Sequence, residues 1–318
     1  MKQNRISTRL NLVIPGGKEK TEKSVRRGRV TKIVGLIFVY LFLTVFALIA
    51  VFPFYYMIVA SLMPEAMVRG GSFFPDLSSL IESASFNYSN TIARLDYARH
   101  VDTTLIVAFS TTILQLLTTI LAAFAFAKLE FKGRDVLFIA FIATMMIPGE
   151  LLALTNYVTM SNLGLVGPEQ NRAQAIIAMV LPLISSSFYI FLLRENIKQI
   201  PDELYLAARI DGKGNWEYLW KVVVPMVKPT LITIGILSLI SSWNSYVWPS
   251  LAVYNIGDNV ISVMIRAGNF FILEYGQETI QYSWQMAASV VVIVPLLALF
   301  IIFRRYIMSG TGRAGIKG

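Results

Sequence analysis

Six stretches of mostly apolar residues recur along the chain, at about 33–62, 103–127, 136–158, 175–193, 229–249 and 284–303. A run of about 20 such residues, rising 1.5 Å each as a helix, crosses the hydrocarbon core of a bilayer. Five of the six hold no Asp, Glu, Lys or Arg, and the third holds only Glu150, just after Pro148-Gly149. The pattern predicts an all-α polytopic membrane protein with six transmembrane helices. Pro148 and Pro249 soften one end of the third and fifth spans. Pro53, Pro182 and Pro295 lie in or near the ends of others, where kinks are common.

The polar segments between the spans set direction. With the N-terminus in the cytoplasm, the segments 1–32, 128–135, 194–228 and the stretch after 303 hold 23 of the 28 Lys and Arg residues. Only Arg69, Arg94, Arg99, Arg172 and Arg266 fall outside. That bias is the positive-inside signature, so both termini are expected in the cytoplasm. It also accounts for the net charge of +9, which therefore does not point to nucleic acid. The basic segment 1–32 is too long for the leading part of a signal peptide, and no small-residue cleavage pattern interrupts the apolar run after it. It reads as a cytoplasmic tail touching anionic lipid, before a six-helix membrane domain at 33–308 and a C-terminal tail at 309–318. The outer loops are 63–102, 161–174 and 250–283; within the first, Tyr88–Arg99 could form an amphipathic helix.

Composition narrows the chemistry. The chain is 55% hydrophobic and 15% charged, with a mean hydropathy of +0.61. Soluble domains are nearer a quarter charged. Without Cys, thiolate zinc sites and disulfide scaffolds are excluded; a single His, His100, excludes a multi-histidine metal centre. His100 is expected at an exposed or interfacial position. No paired Asp, Gly-x-Ser with a distant His, or His-Glu-x-x-His pattern suggests an intramembrane enzyme. No GxxxxGK[ST] loop occurs either, since Gly16-Gly17-Lys18-Glu19 lacks its spacing and hydroxyl.

The segment 194–228 is the most informative. Pro201 ends one helix, Asp202 can cap the next, and Glu203 lies near the positive end of its dipole. A short helix over 203–210 follows, in which Ala207 and Ala208 permit close approach by another backbone. Gly212 can stop it in the left-handed conformation, with Asp211 bonding amides at the turn. A second short helix, Asn215–Val223, carries Trp216, Tyr218 and Trp220, suited to a membrane boundary. Pro225 and Pro229 then redirect the chain. On physics alone this is either a docking surface or a connector floating on lipid headgroups.

Here the residues resemble a known family. Ala207-Ala208-Arg209-Ile210-Asp211-Gly212 with Pro225 is similar to the EAA loop of binding-protein-dependent ABC importer permeases. Leu129-Glu130-Phe131-Lys132-Gly133-Arg134, Met146-Ile147-Pro148-Gly149-Glu150, Ile200-Pro201-Asp202-Glu203-Leu204, Trp243-Asn244 and the ending Ala314-Gly315-Ile316-Lys317-Gly318 resemble the smaller permease of maltose-type carbohydrate importers. Leu206 stands at the family's glutamate position, and Lys213-Gly214 where Ala-Ser is usual. The resemblance implies a type I ABC importer permease fold in a prokaryotic cytoplasmic (inner) membrane. It also implies a non-catalytic subunit driven by alternating access, partnered by a homologous second permease, two cytoplasmic ABC ATPase subunits and an extracellular or periplasmic solute-binding protein.

Site residues follow from the resemblance. Coupling to the ATPases is expected at Glu203, Leu204, Leu206, Ala207, Ala208, Arg209, Asp211 and Gly212. This chain is expected to bind no cofactor, ATP and Mg residing on the partners. Sugars are held by hydrogen bonds and ring stacking, so Glu150, Asn156, Tyr157, Trp243, Asn244, Ser245 and Tyr246 are candidates for the solute path. Against that, Trp243 and Tyr246 suit a membrane belt or packing, Glu150 suits the outer interface, and Asn244 could bond another helix. Asn255, Gly257, Asp258 and Asn259 are candidates for contact with the binding protein, a plain connector being the alternative. The resemblance implies a carbohydrate cargo, an oligosaccharide; a permease for a non-sugar solute, an ion-coupled secondary carrier and a passive membrane anchor are the rivals.

Overall fold

The computed structural model describes residues 17–267, 270–274 and 277–312. Its contacts fall into two units, Met1–Tyr56 and Met57–Gly318, with the boundary inside the first helix. In the first unit, α1 (Gly17–Ser61) passes through Pro53 without a break. Residues 33–54 are exposed on every side although almost all are apolar. A helix apolar around its whole circumference is built for hydrocarbon. The helix starts well before position 33 because the Lys, Glu and Arg residues of 17–32 are good helix formers uninterrupted by proline.

The second unit is helical apart from one hairpin. The segment 63–102, expected as a loop, is largely helix: α2 (Glu65–Arg69) and α3 (Leu80–Leu95) lead straight into α4 (Tyr97–Lys128). Asp96 divides α3 from α4 at φ 42°, a left-handed position that the short Asp side chain tolerates. The amphipathic helix expected at Tyr88–Arg99 is therefore displaced: it begins at Leu80 and stops at Leu95.

α4 is the hub, packed against α8 (Ser187–Lys198) and α12 (Lys228–Trp243). Two of the expected spans are broken, and the fifth is preceded by a sharp bend. α5 (Arg134–Ala143) and α6 (Leu152–Asn162) meet at 87° across Pro148. α7 (Arg172–Val180), opened by a reciprocal Asn171–Gln174 capping box, meets α8 at 50° beyond Pro182. α9 (Asp202–Ile210) precedes the stretch formed by α10 (Asn215–Tyr218), a π turn at Leu219–Val223 and α11 (Val224–Met226). That stretch meets α12 at 79°. α13 (Val247–Ala252) and α14 (Ile261–Ala267) follow. A two-stranded antiparallel hairpin then pairs β1 (Phe271–Glu274) with β2 (Gln277–Ile280), and α15 (Tyr282–Gly312) closes the described chain.

Among the described residues three helices are long and apolar enough to cross a membrane, or up to six if each bent pair is one span. The hairpin departs from an all-α reading. Its strands Phe-Ile-Leu-Glu and Gln-Glu-Thr-Ile are only four residues long and do not alternate apolar with polar, which keeps them from reading as a strand pair in advance. Of the tail 309–318, residues 309–312 extend α15 and 313–318 lie outside the described residues, as does the segment 1–16.

Two buried clusters organise the second unit. One gathers Met160, Ala178, Met179, Trp248 and Val260 around the α6, α7 and α13 end. The other gathers Ile120, Phe124, Leu193, Ile197, Ala208, Tyr218 and Val223 at the opposite end of α4. The second cluster is the seat of α9.

Candidate functional site

α9 is short, so its rigidity must come from its ends and its seat. At its C-terminus Lys213 N donates to Ala208 O at 2.9 Å and Gly212 N donates to Arg209 O at 3.1 Å. Those two bonds make a Schellman closure, with Gly212 at φ 76° in the left-handed position. At its N-terminus Pro201 sits at the cap, and Asp202 is already the first helical residue. Asp202 therefore does not cap the helix as expected. Its carboxylate instead pairs with Lys128 at 2.6 Å, and the same ammonium donates to Ile200 O at 2.8 Å. That ammonium holds the Asp202 carboxyl below its ordinary pKa. Along the helix, Tyr205 donates from its hydroxyl to Asn215 Oδ1 at 2.8 Å, and its ring meets Tyr218 edge-on at 5.0 Å. The helix is thus tied to the end of α4 and to α10.

Its two alanines part company. Ala208 is buried in the cluster beneath, whereas Ala207 faces out with Glu203 and Arg209. A single bare alanine face is therefore corrected to one alanine seating the helix and one on its outer side. That outer side carries large apolar groups: Leu204, Leu206 and Ile210 are 41%, 59% and 87% exposed. Asp211 is exposed beside Lys213, at 3.9 Å. Tyr218, expected at a membrane boundary, is fully buried against Phe124, while Trp216 is exposed.

The expected solute-path residues do not form one site. Glu150 lies on an exposed turn beside Pro148, and Asn156 and Tyr157 follow on α6. Trp243 is buried with Ile261 and Val292, which makes it a packing residue. Asn244 is exposed and its amide donates to Ile240 O at 2.9 Å, ending α12. Tyr246 is covered by Arg266, whose guanidinium carbon is 4.3 Å from the ring centroid. Of these seven, Ser245 alone lines the cavity described below.

The 255–259 segment also divides. Asn255 is exposed and its side chain accepts from Gly257 N, but Asp258 and Asn259 are buried. Asp258 pairs with Arg99 at 2.7 Å, and Asn259 donates to Pro249 O at 3.2 Å. Asp258 and Asn259 thus fasten the loop from within, leaving Asn255 and Ile256 exposed and Gly257 partly so. His100 is not exposed as expected: it is 1% accessible and its Nδ1 lies 2.8 Å from Asn259 O.

A cavity of about 270 Å³ between α4, α8 and α12 was not anticipated from the sequence. Hydroxyls dominate its wall, together with Gln115 and the rings of Phe188 and Tyr189. The signal was present as polar residues four apart inside apolar helices: Thr111 with Gln115 and Ser238 with Ser242. Such positions lie on one helix face.

Comparison with known proteins adds a family. Residues 115–312 match the family model described as "Binding-protein-dependent transport system inner membrane component". The arabinooligosaccharides transport system permease protein AraQ of Halalkalibacterium halodurans is 32% identical over 280 residues, covering 86% of this chain and 93% of that protein. The sn-glycerol-3-phosphate transport system permease protein UgpE of Yersinia enterocolitica is 26% identical over 282 residues, covering 86% and 95%. Among solved structures, a chain of a bacterial ABC transporter involved in the import of the acidic polysaccharide alginate superposes with a TM-score of 0.73. It is 23% identical, and the match covers 87% of this chain and 98% of that one.

Proposed function

The chain belongs to the family of binding-protein-dependent transport system inner membrane components, and from that premise we propose that it is one transmembrane subunit of an ATP-driven carbohydrate importer. In this reading the three long helices and three bent pairs make six spans, with both termini in the cytoplasm of a prokaryote. α9 then projects from the cytoplasmic face, where a pair of ATPase subunits grips it. A second, homologous permease completes the path, and a solute-binding protein delivers cargo from outside, against the face carrying Asn255 and Gly257.

The observation that carries the reading is the construction of α9. A ligand-driven switch must bind one conformation more tightly than the other, by about 5.5 kcal/mol to turn a 1:99 population into 99:1. A helix transmits such a bias only if it does not fray under load. Here both ends are closed, by the Schellman turn and by the Lys128 clamp, while Leu204, Leu206 and Ile210 stay free to enter a partner's cleft. Leu206, standing where the family has glutamate, makes that grip apolar.

The deciding experiment is reconstitution of the assembled complex with its binding protein in liposomes. Uptake of a saccharide should require ATP on the α9 side and persist when proton and sodium gradients are collapsed. Uptake that follows an ion gradient and ignores ATP would establish the secondary-carrier alternative.

A further inference from the structure

The cavity between α4, α8 and α12 lies in the middle of the second unit's helices, at a place where the backbone is interrupted. Between Leu183 and Ser187 the helix breaks, and carbonyls that a continuous helix would have used are released. Two side chains of α4 take them up: Gln115 Nε2 donates to Leu183 O at 3.0 Å, and Thr118 Oγ1 donates to Ile184 O at 2.5 Å. Non-helical backbone at membrane depth is tolerated where it is buried in protein or lines a cavity. This break does both.

The wall is polar yet uncharged. Gln115 is held in place by two bonds, since its Nε2 donates to Leu183 O and its Oε1 accepts from Ser238 at 2.6 Å; a second N–H and a second lone pair of the amide are left over for the cavity. Ser186, Ser241, Ser242 and Ser245 supply hydroxyls that can donate and accept in turn. Thr111, on the same wall and 2% exposed, has a buried hydroxyl with no hydrogen-bond partner among the described residues. Phe188, Tyr189 and Trp248 contribute aromatic rings, Phe188 being 48% exposed. Among the described residues no Lys, Arg, His, Asp or Glu lines the cavity.

We propose that this cavity is a station for one ring of an uncharged saccharide on the solute path. The proposal rests on the importer reading and deepens it by naming the charge class of the cargo. Alternating hydroxyl donors and acceptors beside an aromatic face match a sugar ring, whose rim is hydroxylated and whose face is CH. A carboxylate or phosphate finds no counter-charge there, and burying an unpaired anion is costly. The volume sits just under the range of about 300–1,000 Å³ typical of small-molecule pockets, which suits a single ring and leaves the rest of a longer chain to a facing subunit.

The test uses the complete complex with its binding protein in liposomes and the absence of native cysteine in this chain. Ser241→Cys introduces a unique thiol on the cavity wall; Ser186→Cys, across the break, replaces it if the first variant loses uptake. ATP-driven uptake is measured for arabinotriose and maltotriose, for a galacturonate trimer and for sn-glycerol 3-phosphate. Labelling of the thiol by an uncharged maleimide is then timed with each. The expected result is that the transported solute is one of the neutral oligosaccharides, that it slows labelling at least fivefold, and that Thr111→Val lowers its uptake about tenfold. Uptake confined to an anionic solute, or a transported solute that leaves labelling unchanged, overturns the cavity proposal while leaving the importer reading intact. No ATP-driven uptake of any of the four removes both.

Discussion

Gly212 shows how much one residue contributes to the handle. Its φ of 76° is a conformation that costs an L side chain roughly 1–2 kcal/mol. A Cβ added there meets nothing within 4 Å, so the penalty of Gly212→Ala is conformational and not steric. The expected outcome is a looser C-terminal turn, seen as faster amide exchange at Gly212 and Lys213, whose bonds close α9. Saccharide uptake per ATP hydrolysed should fall severalfold with it. At the other end, pairing with Lys128 depresses the Asp202 pKa, so this tether is fully present above the ordinary carboxylate pKa. It weakens only as pH falls through the lower, folded value. Coupling should therefore be flat across neutral pH. Any loss of α9 protection in strongly acidic buffer should be smaller in Asp202→Asn, measured by the same exchange experiment. Because the Asp202 side chain is 83% exposed, the effect is modest in the way of surface ion pairs.

At the scale of elements, α4 and the 255–261 segment are joined by three bonds in sequence order. Arg99 pairs with Asp258, His100 Nδ1 meets Asn259 O, and Thr104 Oγ1 accepts from Ile261 N at 2.9 Å while donating to His100 O at 2.6 Å. Thr104 is completely buried, so Thr104→Val leaves the Ile261 amide without its partner at a cost of about 1–3 kcal/mol. The purified complex should melt several degrees lower, and the outer loop should become protease-sensitive; an unchanged melting temperature would show the bond to be dispensable. These fasteners were not legible in the sequence, because Asp258, Asn259 and His100 are polar residues in a loop or near a helix start, and local pattern places such residues in water. What was legible was local in origin: the apolar runs, the stop at Gly212, and the breaks at Pro148 and Pro229. Asp202 as a cap failed for the same reason, and for Trp243 the burial that favours packing over the solute path was equally hidden, since Lys128 and Ile261 are distant in sequence and their proximity is a tertiary fact. The cavity lay between these cases: its four-residue spacing was readable, but only the packing of α4 beside α12 turned two stripes into one wall.

For the whole molecule the question is whether movement at α9 reaches the cavity. The physical route is short. α9 sits on the cluster containing Ile120, Phe124, Leu193 and Ile197, which belong to α4 and α8, and those two helices also wall the cavity. Arg194 stiffens this end: it is 6% exposed, donates to Phe126 O at 3.2 Å, and lies 3.7 Å from the centre of the Phe138 ring. A displacement of α9 therefore moves α4 and α8 with it, since a packed interior repacks and does not deform smoothly. In the assembled complex, Leu206→Cys should crosslink to a cysteine placed in the ATPase cleft, whereas Ala208→Cys, turned into the seat, should not. Saccharide uptake should fall more than tenfold when the crosslink forms and recover when it is reduced. ATP binding should, in the same preparation, change the labelling rate of Ser241→Cys in the cavity, and the Leu206 crosslink should abolish that change. If the crosslink forms and transport stops while the cavity thiol still responds to ATP, then α9 is a docking contact and the lever runs through other helices. If both responses vanish together, the helix clamped by Lys128 is the part through which the motor pulls.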